Sequence, residues 1–416
     1  MVLRKPGRNA LFFIFITVLI NMIGFGIIMP VMPELVMEVT GQGRADAARW
    51  GGVLSMAYAV MQFIMMPVVG SLSDRFGRRP IILLSLCAYS IDFLLMALAP
   101  SLAFLFIARI LAGAFAATFT TANAYIADIS PPEKRAANFG LMGAAFGLGF
   151  IIGPALGGII GDIYGHRAPF FAVAGLGFIN LVYGYFFLPE TLNPDHRRPF
   201  EWRRANALGS FRHFRQYPVI LPIAFAMFLY QLAHWAFPSV WAYFAGLKFG
   251  WSPKEIGFSL MAVGLASAIV QGGLTRLVMP KFGERRAAFF GAGVAIIAYF
   301  AYGVVAEGWM IYPLIAFGSL AGFTAPALQG IMSRTVPADA QGQLQGAIGS
   351  INGVSMIIGP LMMTQIFSAF SQADGAVFFP GAPFVLASLL TALALLPLFA
   401  AIGRIQRPRE TASAAA

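Results

Sequence analysis

The sequence predicts an all-α membrane protein with twelve transmembrane helices in two pseudo-symmetric six-helix halves. Three observations lead there. Only 11% of the 416 residues are charged and 59% are hydrophobic, where a soluble chain has about a quarter of its residues charged. The lysines and arginines collect on alternate connections between apolar runs. Residues scattered over several loops and runs recur at one offset of 206.

The apolar residues, 40 phenylalanines among them, form long runs and not one-sided stripes. A helix that is apolar all round has lipid as its solvent. At about 20 apolar residues per crossing, spans fall near 10–34, 50–70, 81–99, 102–125, 139–160 and 169–188. A second set follows near 218–246, 255–278, 287–305, 310–333, 343–366 and 382–402. The opening MVLRKPGRNALFFIF has the basic start of a signal peptide. The apolar run behind it is too long and ends in MPVMP without a small-residue cleavage site, so it is expected to be retained as the first span.

With a cytoplasmic N-terminus, 22 of the 28 lysines and arginines lie in cytoplasmic segments. The positive-inside rule therefore predicts a multi-pass protein of a bacterial-type inner (plasma) membrane with both termini cytoplasmic. The longest polar stretch is a basic linker, 189–217, expected to lie on the anionic inner leaflet. It divides the chain into a first half, 1–188, a second half, 218–402, and a cytoplasmic tail, 403–416. The net charge of +11 is dealt out between apolar segments, whereas a nucleic-acid reader needs one continuous basic surface, so no nucleic-acid partner is expected. The single cysteine, Cys87, sits in an apolar run, and four scattered histidines make no cluster, so no disulfide framework or metal site is expected.

The halves read as copies of one unit. Phe76-Gly77 recurs as Phe282-Gly283, Pro131 as Pro337, Gly140 as Gly346, Gly147 as Gly353, and Ile151-Ile152-Gly153-Pro154 as Ile357-Ile358-Gly359-Pro360. Two six-span repeats joined by a cytoplasmic linker are what a rocking transporter requires, with a small-molecule substrate bound between the halves near the membrane midplane. A receptor should carry a soluble output domain, and a membrane enzyme a nucleophile with its base or paired metal ligands. The sequence offers neither, and without a GxxxxGK[ST] loop there is no sign of ATP use or of a cofactor.

Three motifs carry chemistry. The loop after the second span reads GSLSDRFGRRP, from Gly70 to Pro80. Gly70 would let two helices approach closely, and Asp74 could sit near a helix N-terminus and pair with Arg75, Arg78 or Arg79. Retention of the loop in the cytoplasm would account for the arginines, but not for Gly70, Asp74 and Gly77 in that order. In the fifth span, Gly149, Gly153, Gly157 and Gly161 repeat every four residues around Pro154 and make a smooth face, for packing or for a hinge or seal. Arg109 in the fourth span and Asp92 in the third are charged groups inside the membrane, equally far from the turn near Pro100. An idle intramembrane arginine would cost at least ~2.5 kcal/mol. Either a structural ion pair or proton and substrate handling would explain them.

The GSLSDRFGRRP loop resembles the cytoplasmic signature of the major facilitator superfamily, and the fifth-span glycines with Pro154 resemble the signature of its drug/proton antiporters. Several strings resemble the tetracycline/proton antiporters in particular: GFGIIMPVMP (24–33), SDRFGRRPIILLSL (73–86), GLMGAAFGLGFIIGP (140–154), PALQGIMS (326–333) and QGQLQG (341–346). The resemblance implies a major facilitator fold and proton-coupled export of a small lipophilic or aromatic compound, tetracycline-like, by a monomer in the lipid bilayer. It further implies that the Gly70–Arg79 loop latches the cytoplasmic side, that Asp128 and Gln62 are functional, and that Asp92 and Arg109 handle substrate or protons. Gln231, Gln329 and Gln345 match polar positions of that family. Its members usually carry Asp where this chain has Asn21, some have His at Ser267, and some have Asp at Ala295. His234, beside Trp235, could replace a lost titrating group or be a polar cavity wall. Carriage of a metabolite, coupled or passive, is the alternative within transport.

Overall fold

The computed structural model describes residues 8–116, 118–193, 195, 197–200, 220–337, 340–375 and 377–414. Most of the 189–217 linker lies outside them. Two compact units form: Met1–Ala207 with Gly250–Gly264, and Leu208–Phe249 with Leu265–Ala416.

In the first unit, α1 (Arg8–Thr40), α2 (Arg44–Phe76) and α3 (Arg78–Leu98) are the first three spans. The fourth is α4 (Leu102–Phe115) continued by α5 (Thr118–Ile129), followed by α6 (Pro132–Tyr164) and α7 (Ala168–Phe187). In the rest of the chain, α8 (Ile220–His234) and α9 (Ala236–Lys248) make the seventh span. A 52-residue run, Pro253–Val304, contains α10 (Pro253–Ala268), a π-helical turn (Ile269–Leu274) and α11 (Thr275–Val304). This run is two spans, because Gly283 breaks it with φ 76° and ψ 155°. The tenth span joins α12 (Ile311–Gly318), a 3₁₀ turn (Ser319–Phe323) and α13 (Thr324–Thr335). Then come α14 (Gln341–Ala369) and α15 (Ala382–Ala414), whose apolar part is Ala382–Ala401. Counting the long run as two gives the expected twelve among the described residues.

The helices overrun the expected spans. α1 continues through Pro30 and Pro33 to Thr40, and α2 starts at Arg44, not near 50. Hydropathy measures only the stretch in lipid, while helical hydrogen bonding continues into water. The connection left between α1 and α2 is three residues long, and Arg44 Nη2 pairs with Glu34 Oε1 across it at 2.7 Å. The seventh span, expected as one helix, is interrupted at Trp235.

Inside the first unit, Phe13, Ile14 and Val18 of α1 pack with Ile82 and Leu86 of α3, Tyr125 and Ile126 of α5, and Met142 of α6. In the second, Ile223 and Met227 of α8 pack with Leu328 and Met332 of α13, Ile348 and Ile351 of α14, and Leu398 of α15. Large apolar side chains such as Phe178, Ile179, Phe186, Leu396 and Phe399 stay exposed, as lipid-facing positions do.

The repeat extends to the irregularities. The fourth span breaks at Ala116 (φ −72°, ψ 31°), and 206 residues on the tenth span passes through its 3₁₀ turn. The π turn of the eighth span occupies the place that Pro67 holds in α2. Each half thus interrupts its fourth helix at a matching point, whereas α2 runs unbroken through Pro67 where the eighth span has its π turn.

Candidate functional site

The intramembrane pair is made. Asp92 on α3 is 4% exposed and Arg109 on α4 is 7% exposed. Arg109 Nη2 donates to Asp92 Oδ2. The short α3–α4 turn aligns them, with the Ser101 hydroxyl accepting from Phe104 N–H at the start of α4. Asp92 Oδ1 and Arg109 Nε are buried without a hydrogen-bond partner among the described residues. The guanidinium carbon of Arg109 lies 5.5 Å from the ring centroid of Tyr58 on α2.

At the loop between α2 and α3 the geometry departs from expectation twice. A Cβ at Gly70 would meet nothing within 4 Å among the described residues, so no close helix approach is made there. Asp74 lies in the last turn of α2, with its carboxylate on the Arg78 side chain and not on the N–H groups that open α3. Gly77 explains why: at φ 106° and ψ 162° it turns the chain sharply between α2 and α3, a left-handed conformation that favours glycine. The start of α3 is instead taken by the Glu190 carboxylate. It accepts from the backbone N–H of Arg78 at 2.9 Å, Arg79 at 3.1 Å, Thr191 at 2.9 Å and Leu192 at 3.0 Å.

Arg78 is the hub of this loop. Its Nη1 donates to Asp74 Oδ1 at 2.6 Å and to Ser73 Oγ at 3.0 Å, and its Nε reaches Asp128 Oδ2 at 3.2 Å. The Thr191 hydroxyl also donates to Asp128 Oδ2, at 3.3 Å. Arg79 donates to the Tyr185 carbonyl at 2.6 Å, and Arg75 lies over the Phe76 ring at 5.1 Å. In the second unit Glu284 and Arg334 pair at 3.1 Å.

The glycine stripe of α6 packs against α1. A Cβ on Gly149 would lie 3.0 Å from Ile23 N, on Gly153 3.1 Å from Gly26 Cα, on Gly157 2.9 Å from Ile27 Cα, and on Gly161 2.6 Å from Val31 Cγ1. Pro154 faces Gly26, its Cδ 2.6 Å from where a Cβ would stand. Another face of α6 meets α10: a Cβ on Gly158 would be 3.0 Å from Lys254 Cα, and one on Gly257 would be 3.2 Å from Gly158 Cα.

The remaining polar candidates are dispersed. Asn21 donates to the Thr17 carbonyl of its own helix at 2.8 Å. Gln62 is half-buried on α2, one turn beyond Tyr58. Gln231 Nε2 donates to Asn352 Oδ1 at 2.8 Å, joining α8 to α14. His234 is exposed at the end of α8, Gln329 is half-buried on α13, and Gln345 is exposed on α14. Sequence reasoning missed Glu190, Tyr58, Asn352 and the Glu284–Arg334 pair. The last was within reach, because Glu284 and Arg334 stand 206 residues after Arg78 and Asp128.

The sequence profile of the Major Facilitator Superfamily matches residues 14–360. The chain is similar to the class C tetracycline resistance protein of Escherichia coli, 39% identical over 384 residues that cover 92% of this chain and 96% of that protein. It is also similar to the class D protein of Salmonella ordonez, 35% identical over 398 residues, or 95% and 97% of the two chains. Among solved structures, the fold is that of a bacterial homolog of the human lysosomal transporter Spinster in its inward-facing, occupied conformation. The TM-score is 0.78 at 17% identity, covering 96% of this chain and 97% of that one. Agreement that runs nearly end to end, at more than 30% identity to those two resistance proteins, identifies the chain as a membrane transporter of the Major Facilitator Superfamily, in the branch that holds the tetracycline resistance proteins.

Proposed function

We propose that the protein is a proton-coupled secondary active exporter of a small lipophilic or aromatic compound, a tetracycline-like drug. It works as a monomer, by alternating access, in the plasma membrane with both termini cytoplasmic. The observation that carries the reading is the buried Asp92–Arg109 pair. Removing two such charges from water costs several kcal/mol per ion, and ionisable residues inside spans mark proton and ion pathways. The pseudo-equivalent positions in the second half are Ala298 and Ile315, so the fold does not itself call for the charges. The drug class is supported by the names of the relatives.

In this reading Asp92 carries the proton and Arg109 tunes it, with His234 as a further titrating group. Asn21, Gln62, Gln231, Gln329 and Gln345 orient the substrate. Gly70, Asp74, Arg75, Gly77, Arg78, Arg79 and Asp128 gate the cytoplasmic side, and Gly149, Gly153, Pro154 and Gly157 form the packed seal between α1 and α6. A proton arriving from outside neutralises Asp92 and loosens its hold on Arg109 or on substrate, which then leaves outward.

The test is uptake of tritiated tetracycline into inverted membrane vesicles with an acid interior, before and after a protonophore collapses the gradient. Uptake that ends with the gradient is expected. Uptake indifferent to the protonophore overturns the coupling. Vesicles that ignore tetracycline and a cationic dye but accumulate a sugar overturn the substrate class.

A further inference from the structure

We propose that Tyr58 is a positioning residue of the coupling site: its ring seats the Arg109 guanidinium against Asp92 Oδ2 and so leaves Asp92 Oδ1 as the oxygen that takes the proton. The proposal rests on the reading of Asp92 as proton carrier.

The geometry begins at Gly113, one turn beyond Arg109 on the same face of α4. A Cβ there would stand 2.9 Å from Met61 Cβ and 3.1 Å from the Tyr58 carbonyl carbon, so α4 rests directly on the α2 backbone at this level. That close approach brings the guanidinium carbon of Arg109 to 5.5 Å from the Tyr58 ring centroid. The face of an aromatic ring attracts a cation, most strongly where water is excluded. Arg109 therefore has two seats, a carboxylate oxygen on α3 and a ring on α2. It uses Nη2 for Asp92 Oδ2, while Asp92 Oδ1 stays buried and unpartnered. A proton can form its O–H bond on Oδ1 without displacing Arg109. As the carboxylate charge disappears, the pull on Arg109 shifts to the ring, so the buried cation keeps a seat.

The charged and titratable groups around Asp92 among the described residues are Arg109 from α4, Tyr58 from α2 and Tyr89 from α3 itself. The Tyr89 hydroxyl is engaged elsewhere, donating to the Ile20 carbonyl of α1 at 2.8 Å. Helices α5 and α7 also pack on α3, and their titratable groups are engaged elsewhere: Asp128 with Arg78, Tyr125 with the Pro189 carbonyl, Tyr183 with Phe13 and Phe187 and Tyr185 with Arg79. The internal repeat offers an independent argument. At the positions pseudo-equivalent to Tyr58, Asp92 and Arg109 the second half carries Gly264, Ala298 and Ile315, all three buried. Acid, cation and ring are absent together from a half that folds the same way, which marks them as one functional set.

The experiment compares wild type, Tyr58→Phe, Tyr58→Met, 3,4,5-trifluorophenylalanine at position 58, and Asp92→Asn. Each is measured in inverted vesicles for gradient-driven uptake of tritiated tetracycline across pH, and for exchange without a gradient. Purified proteins are measured by infrared difference spectroscopy for the carboxyl band that Asp92→Asn removes, a readout needing no substrate. Tyr58→Phe should behave as wild type, because the ring survives. The fluorinated ring, nearly isosteric but with a weakened face, and Tyr58→Met should lose about tenfold in uphill uptake with exchange retained. The titration midpoint of their carboxyl band should move by roughly one pH unit, a tenfold change in the protonation equilibrium. A wild-type pH profile and carboxyl band in the fluorinated protein overturns the role of Tyr58, as does a Tyr58→Phe protein as impaired as Tyr58→Met. If Asp92→Asn still concentrates tetracycline, the coupling reading itself fails. If Asp92→Asn uncouples while the ring series is silent, only the Tyr58 proposal fails.

Discussion

Arg78 and Asp128 are ion-paired at 3.2 Å, and 206 residues further on Glu284 and Arg334 form the matching pair at 3.1 Å with their charges exchanged. The sign matters because helix ends are charged, positive at the N-terminus and negative at the C-terminus. Glu284 begins the helix that follows the Gly283 kink, and Arg334 stands in the last turn of α13, so both sit with their dipoles. Arg78 begins α3, and Asp128 stands near the end of α5, so both sit against theirs. The first-half pair relies on Asp74 for support, while the carboxylate of Glu190 occupies the α3 terminus that Arg78 leaves without an anion of its own.

Exchanging the signs in the first half should therefore fail. In Arg78→Glu combined with Asp128→Arg, the new carboxylate at 78 would face Asp74 and Glu190. Uptake into vesicles should stay at least tenfold below wild type. Arg334→Gln should remain within about twofold, since an exposed ion pair contributes little and the Arg334 side chain is 79% exposed. Full activity in the exchanged protein would show that only the bridge, and not its sign, matters.

Asp74→Asn should remove a charge contact without unfolding the protein, because the Asp74 side chain is 46% exposed. If that contact is made in only one of two states, its loss shifts the population toward the inward-open one. Transport should fall several-fold with unchanged yield, and a cysteine introduced in the cytoplasmic cavity should label faster. Unchanged labelling would leave the loop as a topology signal only.

Gly157→Ala should separate α1 from α6. The new methyl would stand 2.9 Å from backbone atoms of Ile27, a crowding that costs roughly 1–3 kcal/mol. Gly147→Ala, on the same helix, meets nothing within 4 Å. The first should lower the thermal midpoint of the purified protein by several degrees, and the second should leave it unchanged within error.

Asp92→Asn carries the neutral form permanently. It should abolish uphill accumulation of tetracycline, while exchange of labelled for unlabelled drug persists. Wild-type dependence of accumulation on the pH gradient would exclude Asp92 as the carrier and direct attention to His234→Gln.

Orientation is checked by impermeant maleimide on intact cells. Cysteines at Gln42, in the turn between α1 and α2, and at Gln372 should react. A cysteine at Ser210, which lies outside the described residues, should not, and its labelling would reverse the topology.

Composition and patterning alone were enough to establish twelve spans, the duplication and the charged residues inside the third and fourth spans. Lipid removes every alternative to a helix for a long apolar run, and a fixed offset needs no structure to be seen. The spacing of Asp92 and Arg109 from the Pro100 turn even placed them at one depth. It could not tell pairing from mere proximity, because which way each helix faces depends on its neighbours; Gly113 resting on α2 settles that for Arg109. For the same reason Tyr58 looked like one more aromatic in an apolar run, and Glu190 like one more charge in a polar loop. Their roles exist only where the tertiary structure brings a ring onto a guanidinium, and a carboxylate onto the first N–H groups of a helix more than a hundred residues away in sequence.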